Sequence, residues 1–522
     1  MKKIVLNKKE EEQIRAKGIS KETLKYQLSV FGKETFYENL IRPCTVGDGI
    51  TVFNNNEIKR LSILYKHAAP KRNPVKFVPA SGAATRMFNF LHAINNGSGQ
   101  TSGPYLPDNI RKTSPEFMDF VKFVSNIDHF AFYEELKTLM LQKGLYIDEI
   151  ISKKQYQYVI ENVLSSKGLG YGSCPKGMIS FHRYMDYSRT PFEEHLVEAS
   201  AYATGTDGYC RVHFTISPEY HNLISNHIKT HKTHYEKPGI TFDFSLSFQQ
   251  PFTDTIAVDQ DNRPFRDESN RLVFRPGGHG ALLENLNNLK ADIVFLENID
   301  NVSCDRIKRE ASLYKTAIGG CLIELQEEIF KYLNELTYGN PNKQYILKML
   351  EFTRHKLSVT LPEGIERAAE KDQIALLISK LNRPFRVCGM VRNTGKPGGG
   401  PFWTRGRDGL ISLQIVENAQ INPASKKQQS ILVSSTHFNP VNIVCGTKDF
   451  KGRPFDLRKY IDNEAVFVSL KSKNGKPLKA LELPGLWNGA MAYWNTVFVE
   501  LPVITFNPVK NVLDLLCEAH QV

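Results

Sequence analysis

The chain has 522 residues, of which 41% are hydrophobic and 23% are charged, a composition typical of globular proteins and not of disordered ones. No apolar run approaches the roughly 20 residues of a membrane-spanning helix, and the N-terminus lacks the apolar stretch of a secretory signal. The formal net charge of +12 favours anionic partners, but no run of five basic residues occurs, so phosphorylated metabolites are favoured over nucleic acid.

The eight cysteines are scattered along the chain and never form a C-x-x-C pair. Cysteines in this pattern, in a chain of this size, are typical of reduced thiols. We therefore expect a cytoplasmic protein that binds neither nucleic acid nor membrane.

In chain order, a helical segment comes first, because Leu24, Leu28 and Phe31 recur at helical spacing. A strand around Val75 then leads through small residues into a helix that ends near Gly97, which is the pattern of an α/β unit. The predicted organisation has four parts: a helical N-terminal segment (1–70), an α/β core with a helical insertion at about 98–170 (71–303), a second helical insertion (304–382) and the remainder of the core (383–522).

Two later segments predict the kind of sheet. Phe242, Phe244 and Leu246 alternate with polar residues, so their strand is predicted to have one covered face. The apolar run of 292–296 predicts a central strand covered on both faces. Apolar residues between 307 and 336 then recur at a mean step of about 3.6, the period of one long core helix. We expect an α/β protein with a mixed, mostly parallel sheet.

The loop at 81–86, in the stretch "KFVPASGAATRM", is the first candidate site. A strand that enters a helix through small residues lets backbone N–H groups point at an anion, and the helix N-terminus adds a partial positive charge. Arg86 is poorly placed for the helix dipole and would gain from an anionic partner. The alternative is an ordinary turn with Arg86 in solvent.

Two further candidates are charged residues beside turns. Lys176 lies in a Pro-Lys-Gly turn, where a lone lysine is usually only solvated. Asp300 follows the predicted central strand, and ligands of open α/β sheets bind beyond the carboxyl ends of strands. A carboxylate there could hold Mg²⁺ on a phosphate, although an Asn-Ile-Asp-Asn turn would also explain it.

His227, His231 and His234 fall on one face of a predicted helix and could bind a metal ion. No acidic ligand accompanies them in the sequence pattern. A solvated polar helix face is therefore the favoured interpretation.

The order of these motifs resembles that of the sugar-nucleotide pyrophosphorylases, and particularly of their UDP-sugar branch. That family has a Gly-Gly-x-Gly-Thr-Arg loop, a Pro-Lys pair, a Pro-Leu-x-Glu-His helix start, a Gln-x-x-Pro stretch, a Pro-Gly-Asn-Gly-Gly loop, an Asp-Asn pair and a Pro-x-Lys-Asn motif. The similar stretches here are 81–87, 175–178, 190–195, 249–251, 276–280, 300–301 and 506–511. The phrases "VPASGAATRM", "RPGGHGALL" and "PGGGPFW" also resemble the bacterial family called domain of unknown function 4301.

The resemblance implies a GT-A-like, Rossmann-type nucleotidyltransferase core that joins a nucleoside triphosphate to a sugar 1-phosphate with Mg²⁺. The UDP-sugar branch implies UTP as that triphosphate. Four residues would act on the phosphates: Arg86, Lys176, Asp300 and Lys510, with Asp300 also holding the metal ion. The nucleotide would be bound by Ser81, Gly82, Ala83, Ala84, Thr85, Gln249, Pro276, Gly277, Gly278, His279 and Gly280. Glu417 and Asn439 would contact the sugar. The part of the core that binds the sugar phosphate would therefore be 383–522.

The sequence departs from the family pattern at several positions. Ser81 and Ala84 stand where the family has glycines, and His279 stands where it has the asparagine that faces the base. The stretch between Arg86 and Lys176 is also far longer than in the family. These departures keep a second hypothesis open, in which the chain binds a nucleotide or nucleotide sugar without turning it over.

Overall fold

Strands and helices alternate along the chain, as the sequence patterns predict. The computed structural model describes residues 6–32, 37–97, 114–395, 398–407 and 409–522. They form two compact units, each assembled from three segments: the first unit is Met1–Phe77, Ser247–Leu296 and Tyr314–Val503, and the second is Val78–Leu246, Glu297–Leu313 and Ile504–Val522.

The strands of the described residues are β1 (Leu40–Pro43), β2 (Thr45–Val46), β3 (Gly49–Thr51), β4 (Val75–Pro79), β5 (His182–Arg183), β6 (Ser188–Arg189), β7 (Tyr209–Thr215), β8 (Thr241–Ser247), β9 (Thr255–Val258), β10 (Phe274–Arg275), β11 (Ile293–Leu296), β12 (Phe385–Arg392), β13 (Gly400–Arg405), β14 (Ile411–Val416), β15 (His437–Phe438), β16 (Ile443–Gly446), β17 (Phe467–Lys473), β18 (Lys476–Glu482) and β19 (Asn495–Glu500).

The α-helices are α1 (Lys8–Ala16), α2 (Lys21–Val30), α3 (Asn55–Ala68), α4 (Asn89–Gly97), α5 (Pro115–Ser125), α6 (Tyr133–Gln142), α7 (Ile147–Ser152), α8 (Tyr156–Leu164), α9 (Pro191–Ala199), α10 (His221–His231), α11 (Leu283–Leu289), α12 (Asp305–Tyr338), α13 (Lys343–His355), α14 (Glu370–Leu381) and α15 (Lys426–Val433). Among the described helices, none is both long and apolar enough to span a membrane.

The first unit is built on a mixed sheet with the strand order β2-β3-β19-β12-β16-β11-β4. The pairs β2–β3, β3–β19, β19–β12 and β11–β4 are parallel, whereas β16 runs antiparallel to both of its neighbours. All four residues of β11 are buried, as a strand covered on both faces requires. The predicted α/β class, the mixed and mostly parallel sheet, and the central position of this strand are confirmed.

The second unit has a helical layer and its own apolar core. Residues 84–94 and α5, α6 and α8 contribute Met87, Phe90, Phe123 and Leu136 to this core, and the C-terminal segment adds Val512. Strands β7 and β8 are neighbours, and α9 packs against β7. Of the insertion predicted at 98–170, residues 98–113 lie outside the described residues, and the remainder forms α5 to α8.

One of the predicted helical segments differs in detail from the structure, and the long core helix agrees with it. The N-terminal segment 1–70 contains α1 to α3, but also the short strands β1 to β3 around Cys44. These strands are only two to four residues long, and the helical periodicity on either side hides them. The long core helix predicted from the 3.6-residue spacing is α12, of 34 residues.

A glycine pair lets α12 pack closely on α3 within the first unit. A Cβ atom on Gly320 would lie 2.0 Å from the carbonyl oxygen of Leu61, and one on Gly319 would lie 2.5 Å from the ring of Tyr65. No side-chain rotation can relieve a contact with a backbone oxygen. The close approach of the two helices therefore requires glycine at 320.

We expect Gly320→Ala to destabilise the protein by about 1–3 kcal/mol, the usual cost of overpacking a core. The clash outweighs the gain in helix propensity, which is about 1 kcal/mol. Urea unfolding measures the difference. Lys331→Ala, on the exposed face of the same helix, is the control and should stay within about 0.5 kcal/mol of wild type. Equal stability of the two variants would contradict the packing argument.

Candidate functional site

The second unit contains a carboxylate held by two lysines. Asp300 Oδ2 accepts hydrogen bonds from Lys176 Nζ at 2.8 Å and from Lys510 Nζ at 2.7 Å. Asp300 is only 7% exposed, and its other oxygen, Oδ1, is buried without a hydrogen-bond partner among the described residues. Three of the four residues predicted to act on phosphates thus lie in direct contact.

Asp300 follows β11 by four residues and is fixed by a second chain segment. Asn301 and Pro508 form an isolated antiparallel bridge, and Val509 N–H donates to the Asp300 carbonyl at 3.0 Å. Asn507 N–H donates to Asn301 Oδ1 at 2.9 Å. These backbone contacts bring the segment that carries Lys510 beside Asp300, although 210 residues separate the two in sequence.

Lys176 is fixed by the small-residue loop. Lys176 N–H donates to the Gly82 carbonyl at 3.1 Å, and Ala84 N–H donates to the Cys174 carbonyl at 2.9 Å. The same antiparallel contact pairs Ala83 with Pro175. The loop at 81–86 therefore adjoins Lys176, which connects two motifs that are about 90 residues apart.

The loop is open on one side and packed on the other. Ser81, Gly82 and Ala83 are exposed, and their N–H groups have no acceptor within the described part of the chain. A Cβ atom on Gly82 would have no neighbour within 4 Å. Ala84 instead buries its methyl group in the core and uses its N–H on Cys174. The backbone amides of the loop that remain open are therefore those of 81–83.

The loop enters the helix through a tight turn. Residues Ala84–Phe88 form a 3₁₀ turn, and the α-helix begins at Asn89. Thr85 Oγ1 donates to the Gly172 carbonyl at 3.3 Å. Arg86 is exposed, and its side chain makes no ion pair or hydrogen bond with any described residue. Arg86 belongs to the loop that adjoins Lys176, but its side chain makes no ion pair or hydrogen bond with Lys176, Asp300 or Lys510.

Burial and neighbouring charges have opposite effects on the pKa values of Asp300 and Lys176. Burial alone would raise the pKa of Asp300, but Lys176 and Lys510 outweigh it and hold that pKa below its usual value. Burial lowers the pKa of Lys176, and Asp300 opposes this effect. Each ammonium group has three N–H donors and uses one on Asp300, so donors remain for a second anion. Asp514 accepts hydrogen bonds from the backbone N–H groups of Lys510 and Asn511. It does not use the ammonium donors of the two lysines.

Asp300 Oδ1 fits the binding of Mg²⁺ as a single protein ligand. Magnesium in proteins usually keeps several waters and is held by one or two carboxylates together with substrate phosphates. A buried carboxylate oxygen without a partner has the right chemistry for that role. Among the described residues, Asp300 belongs to no group of three metal-ligating side chains, so substrate phosphates would have to complete the coordination.

The glycine loop at 276–280 lies in the first unit, where close packing explains its glycines. A Cβ atom on Gly280 would lie 2.1 Å from the Pro484 carbonyl oxygen, and one on Gly277 would lie 2.6 Å from the Thr253 carbonyl oxygen. Gly278 has a φ of 75°, in the left-handed region. Pro276 is exposed at the start of the loop.

His279 and Glu417, predicted from separate motifs, meet in the first unit. His279 Nδ1 accepts the Leu486 N–H at 3.0 Å, so Nε2 carries the proton, and it lies 3.4 Å from Glu417 Oε1. The His279 ring stacks on Trp487 with centroids 4.2 Å apart. Burial would raise the pKa of Glu417, but the hydrogen bonds from His279 and Trp487 and the charge of His279 together outweigh burial and lower that pKa.

The remaining two predicted residues contact protein groups of the first unit. Gln249 Nε2 donates to Asp254 Oδ1 at 3.3 Å. Asn439 is 3% exposed, and its amide donates to the Gly389 carbonyl and accepts the Val441 N–H. Asn439 thereby fixes the backbone around Val441, which has a φ of 59°.

Sequence reasoning missed the residues that position the cluster. Asn301 and Asn507 tie the two segments together, and Asp514 holds the backbone at Lys510. The signal in the sequence was the asparagine beside each charged residue, in "NIDN" and "FNPVKN". Asparagine is favoured in such turns because its side chain can hydrogen-bond nearby backbone groups.

A family model matches residues 7–521, and the chain belongs to that family, Domain of unknown function (DUF4301). The membership expected from the sequence phrases is confirmed. Among curated proteins, none matches the chain.

The chain is similar to solved structures of UDP-sugar pyrophosphorylases. One is a mutant UDP-glucose pyrophosphorylase from Leishmania major in complex with UDP-glucose, at 12% identity and a TM-score of 0.43, over 97% of this chain and 77% of that chain. Another is the uridine diphosphate N-acetylglucosamine pyrophosphorylase from Trypanosoma brucei in complex with an inhibitor, at 11% identity and a TM-score of 0.45, over 98% of this chain and 79% of that chain.

Proposed function

We propose that this protein is a nucleotidyltransferase, which joins a nucleoside triphosphate to a sugar 1-phosphate and releases pyrophosphate. The observation that carries the proposal is the convergence of Lys176 and Lys510 on one oxygen of the buried Asp300. Such a cluster offers fixed ammonium donors for phosphate oxygens in a place poor in water. UTP is the first candidate triphosphate because the sequence motifs resemble those of the UDP-sugar branch.

The chemistry needs positioning and charge stabilisation more than covalent help from the protein. An oxygen of the sugar phosphate attacks the α-phosphorus, the bond from that phosphorus to the bridging oxygen breaks, and pyrophosphate leaves. Lys176, next to the loop, is assigned to the α-phosphate, where charge shifts during transfer. Lys510, whose side chain is half exposed, is assigned to the incoming sugar phosphate.

The loop is assigned to the triphosphate. The free N–H groups of 81–83 can donate to the β- and γ-phosphates without steric hindrance at Gly82. Arg86, which has no protein partner among the described residues, is available for the same leaving phosphates. When bound, Mg²⁺ would supply positive charge that offsets the charge of the triphosphate. Asp300 Oδ1 would be its protein ligand.

A pyrophosphate-release assay tests the proposal. Each of the four common nucleoside triphosphates is incubated with a panel of sugar 1-phosphates and Mg²⁺, and pyrophosphate is measured. We expect release with at least one pairing, dependent on both substrates. Binding of a nucleotide without release of pyrophosphate in any pairing would instead support a protein that binds nucleotides without turnover. The N–H of Ala84 is bonded to protein and is lost to a ligand, which favours that alternative. No binding and no release would overturn both.

Activity should also depend on the protonation of Lys176. Burial holds the pKa of this ammonium group below the ordinary value of 10.5, so its charge is lost at a lower pH than that of a surface lysine. We expect kcat/KM to fall on the alkaline side with a midpoint below 10.5. Lys176→Arg keeps its charge at every accessible pH. Its profile, measured alongside, should lack that alkaline fall, and an unchanged midpoint would contradict the assignment.

A further inference from the structure

We propose that Glu193, His227 and His231 form a zinc-binding site in the second unit, separate from the proposed nucleotidyltransferase site. One ligand atom of each lies within 4.8 Å of the other two. Two imidazoles and one carboxylate are a ligand set that zinc takes in proteins, with a fourth position left for water. The spacing of the histidines, i and i+4 on α10, puts both rings on one helix face.

The acidic ligand comes from another helix. Glu193 lies in the first turn of α9, where Thr190 is the N-cap and the two residues form a capping box. Its carboxylate is 2% exposed, and its Oε2 lies 3.4 Å from His227 Nε2. That distance is long for a hydrogen bond. His227 Nε2 lies closer to the Thr190 hydroxyl oxygen, at 3.0 Å, and would give up this contact when it binds a metal ion.

The tautomer of His231 suits a metal ion. Its Nδ1 lies 2.8 Å from the His227 carbonyl oxygen, which can only accept, so Nδ1 must carry the proton. The lone pair of His231 is then on Nε2. A metal-ligating histidine usually donates its other ring N–H to a carbonyl or carboxylate, as His231 does here.

The Glu193 carboxylate is oriented by its neighbours and keeps one site open. Thr190 donates its N–H and its hydroxyl to Oε2, both at 2.8 Å, and the Tyr235 hydroxyl donates to Oε1 at 2.9 Å. A carboxylate has about four lone-pair sites. Three are used by these donors, two on Oε2 and one on Oε1, so the open lone pair is on Oε1, where a metal ion would bind.

The nearby positive charge does not oppose a metal ion strongly. Arg189 lies against the Tyr235 ring, with its guanidinium carbon 5.0 Å from the ring centroid. Its guanidinium group is paired with Asp305 at 2.7 Å and lies 3.4 Å from Glu194. A bound zinc ion would connect the start of α9 to the end of α10 and so stabilise this part of the fold.

Zinc titration of the full-length, chelator-treated protein tests the site. We expect one zinc ion per chain by elemental analysis, and a zinc-dependent rise in Tm. His231→Gln should weaken zinc binding by about tenfold or more, because it removes a ligand while the one hydrogen bond of its side chain among the described residues is to the His227 carbonyl oxygen of the same helix. Glu193→Gln should weaken it as well, although loss of the capping carboxylate also lowers stability.

His221→Gln is the matched control, because this exposed histidine begins the same helix about 15 Å from His231. It should bind zinc as wild type does. Equal weakening by His221→Gln and His231→Gln would mean that zinc binds surface histidines without a site, and would overturn the proposal. Failure of the wild-type protein to bind zinc with 1:1 stoichiometry would overturn it too.

Discussion

Lys176→Ala and Asp300→Asn should each lower kcat/KM for pyrophosphate release by about 100-fold or more. Removal of one fixed donor from a transition-state charge typically costs about 10²–10³ in rate. Lys176 is assigned to the α-phosphate directly. Asp300 holds both lysines through one oxygen, at 2.8 and 2.7 Å, so its neutralisation frees both ammonium groups to move.

The two effects should not add. Because Lys176 and Asp300 act as one unit, the double variant is expected to lose little more than the worse single variant. Lys229→Ala, which removes an exposed lysine from α10, controls for the overall charge and should retain wild-type rates. Wild-type rates in both single variants, with a Tm close to that of wild type, would show that the cluster is not the site of transfer.

The second large effect concerns stability. Glu194, at 0% exposure, accepts hydrogen bonds from His182 Nδ1 at 2.8 Å and from the Tyr184 hydroxyl at 2.9 Å, and forms an ion pair with Lys308. Glu194→Ala would leave the buried ammonium group of Lys308 with Asp305 alone, at 2.9 Å, and would leave His182 and Tyr184 without their acceptor. Breaking a buried ion pair from one side costs about 3–5 kcal/mol, and we expect Glu194→Ala to lower the free energy of unfolding by that amount.

Urea unfolding measures this loss, with Glu219→Ala as an exposed carboxylate control that should change stability by less than about 0.5 kcal/mol. Burial would raise the pKa of Glu194, but Lys308 and His182 outweigh it and hold the pKa below 4.5. A depressed pKa stabilises the fold above the unfolded-state value, and this stability is lost as the pH falls below about 4.5. Glu194→Ala should therefore show a shallower acid dependence than wild type. An identical dependence would contradict the ion-pair argument.

Much of the fold could be predicted because local patterns and burial agree. The 3.6-residue spacing of apolar residues predicted α12. The continuous apolar run predicted β11, because a strand covered on both faces has no solvent-facing positions for polar residues. Short strands such as β2 could not be predicted, because two residues are too few to show an alternation of apolar and polar side chains. The pairing of β16 antiparallel to both neighbours also depends on contacts between distant segments.

For the candidate site, the sequence supplied the residues but not their contacts. The family motifs predict three charged residues of the site, Lys176, Asp300 and Lys510. The structure places these three side chains in contact. Arg86 was chosen in the same way, and its side chain contacts none of them in the described structure. Backbone hydrogen bonds between segments, such as that from Val509 to Asp300, decide whether a side chain in a turn contacts another site residue.

By itself, the sequence determined the α/β class, the main helices and the charged residues beside turns, because these depend on periodicity and local composition. Only the tertiary structure decided which side chains meet. His227 and His231 were visible as a helix face, but Glu193, their acidic neighbour, belongs to another helix more than thirty positions away. Ala84 replaced a glycine in the motif, and its buried methyl group and bonded N–H show that only the amides of 81–83 remain open. Such contacts are set by packing between distant segments, which no local pattern in the sequence records.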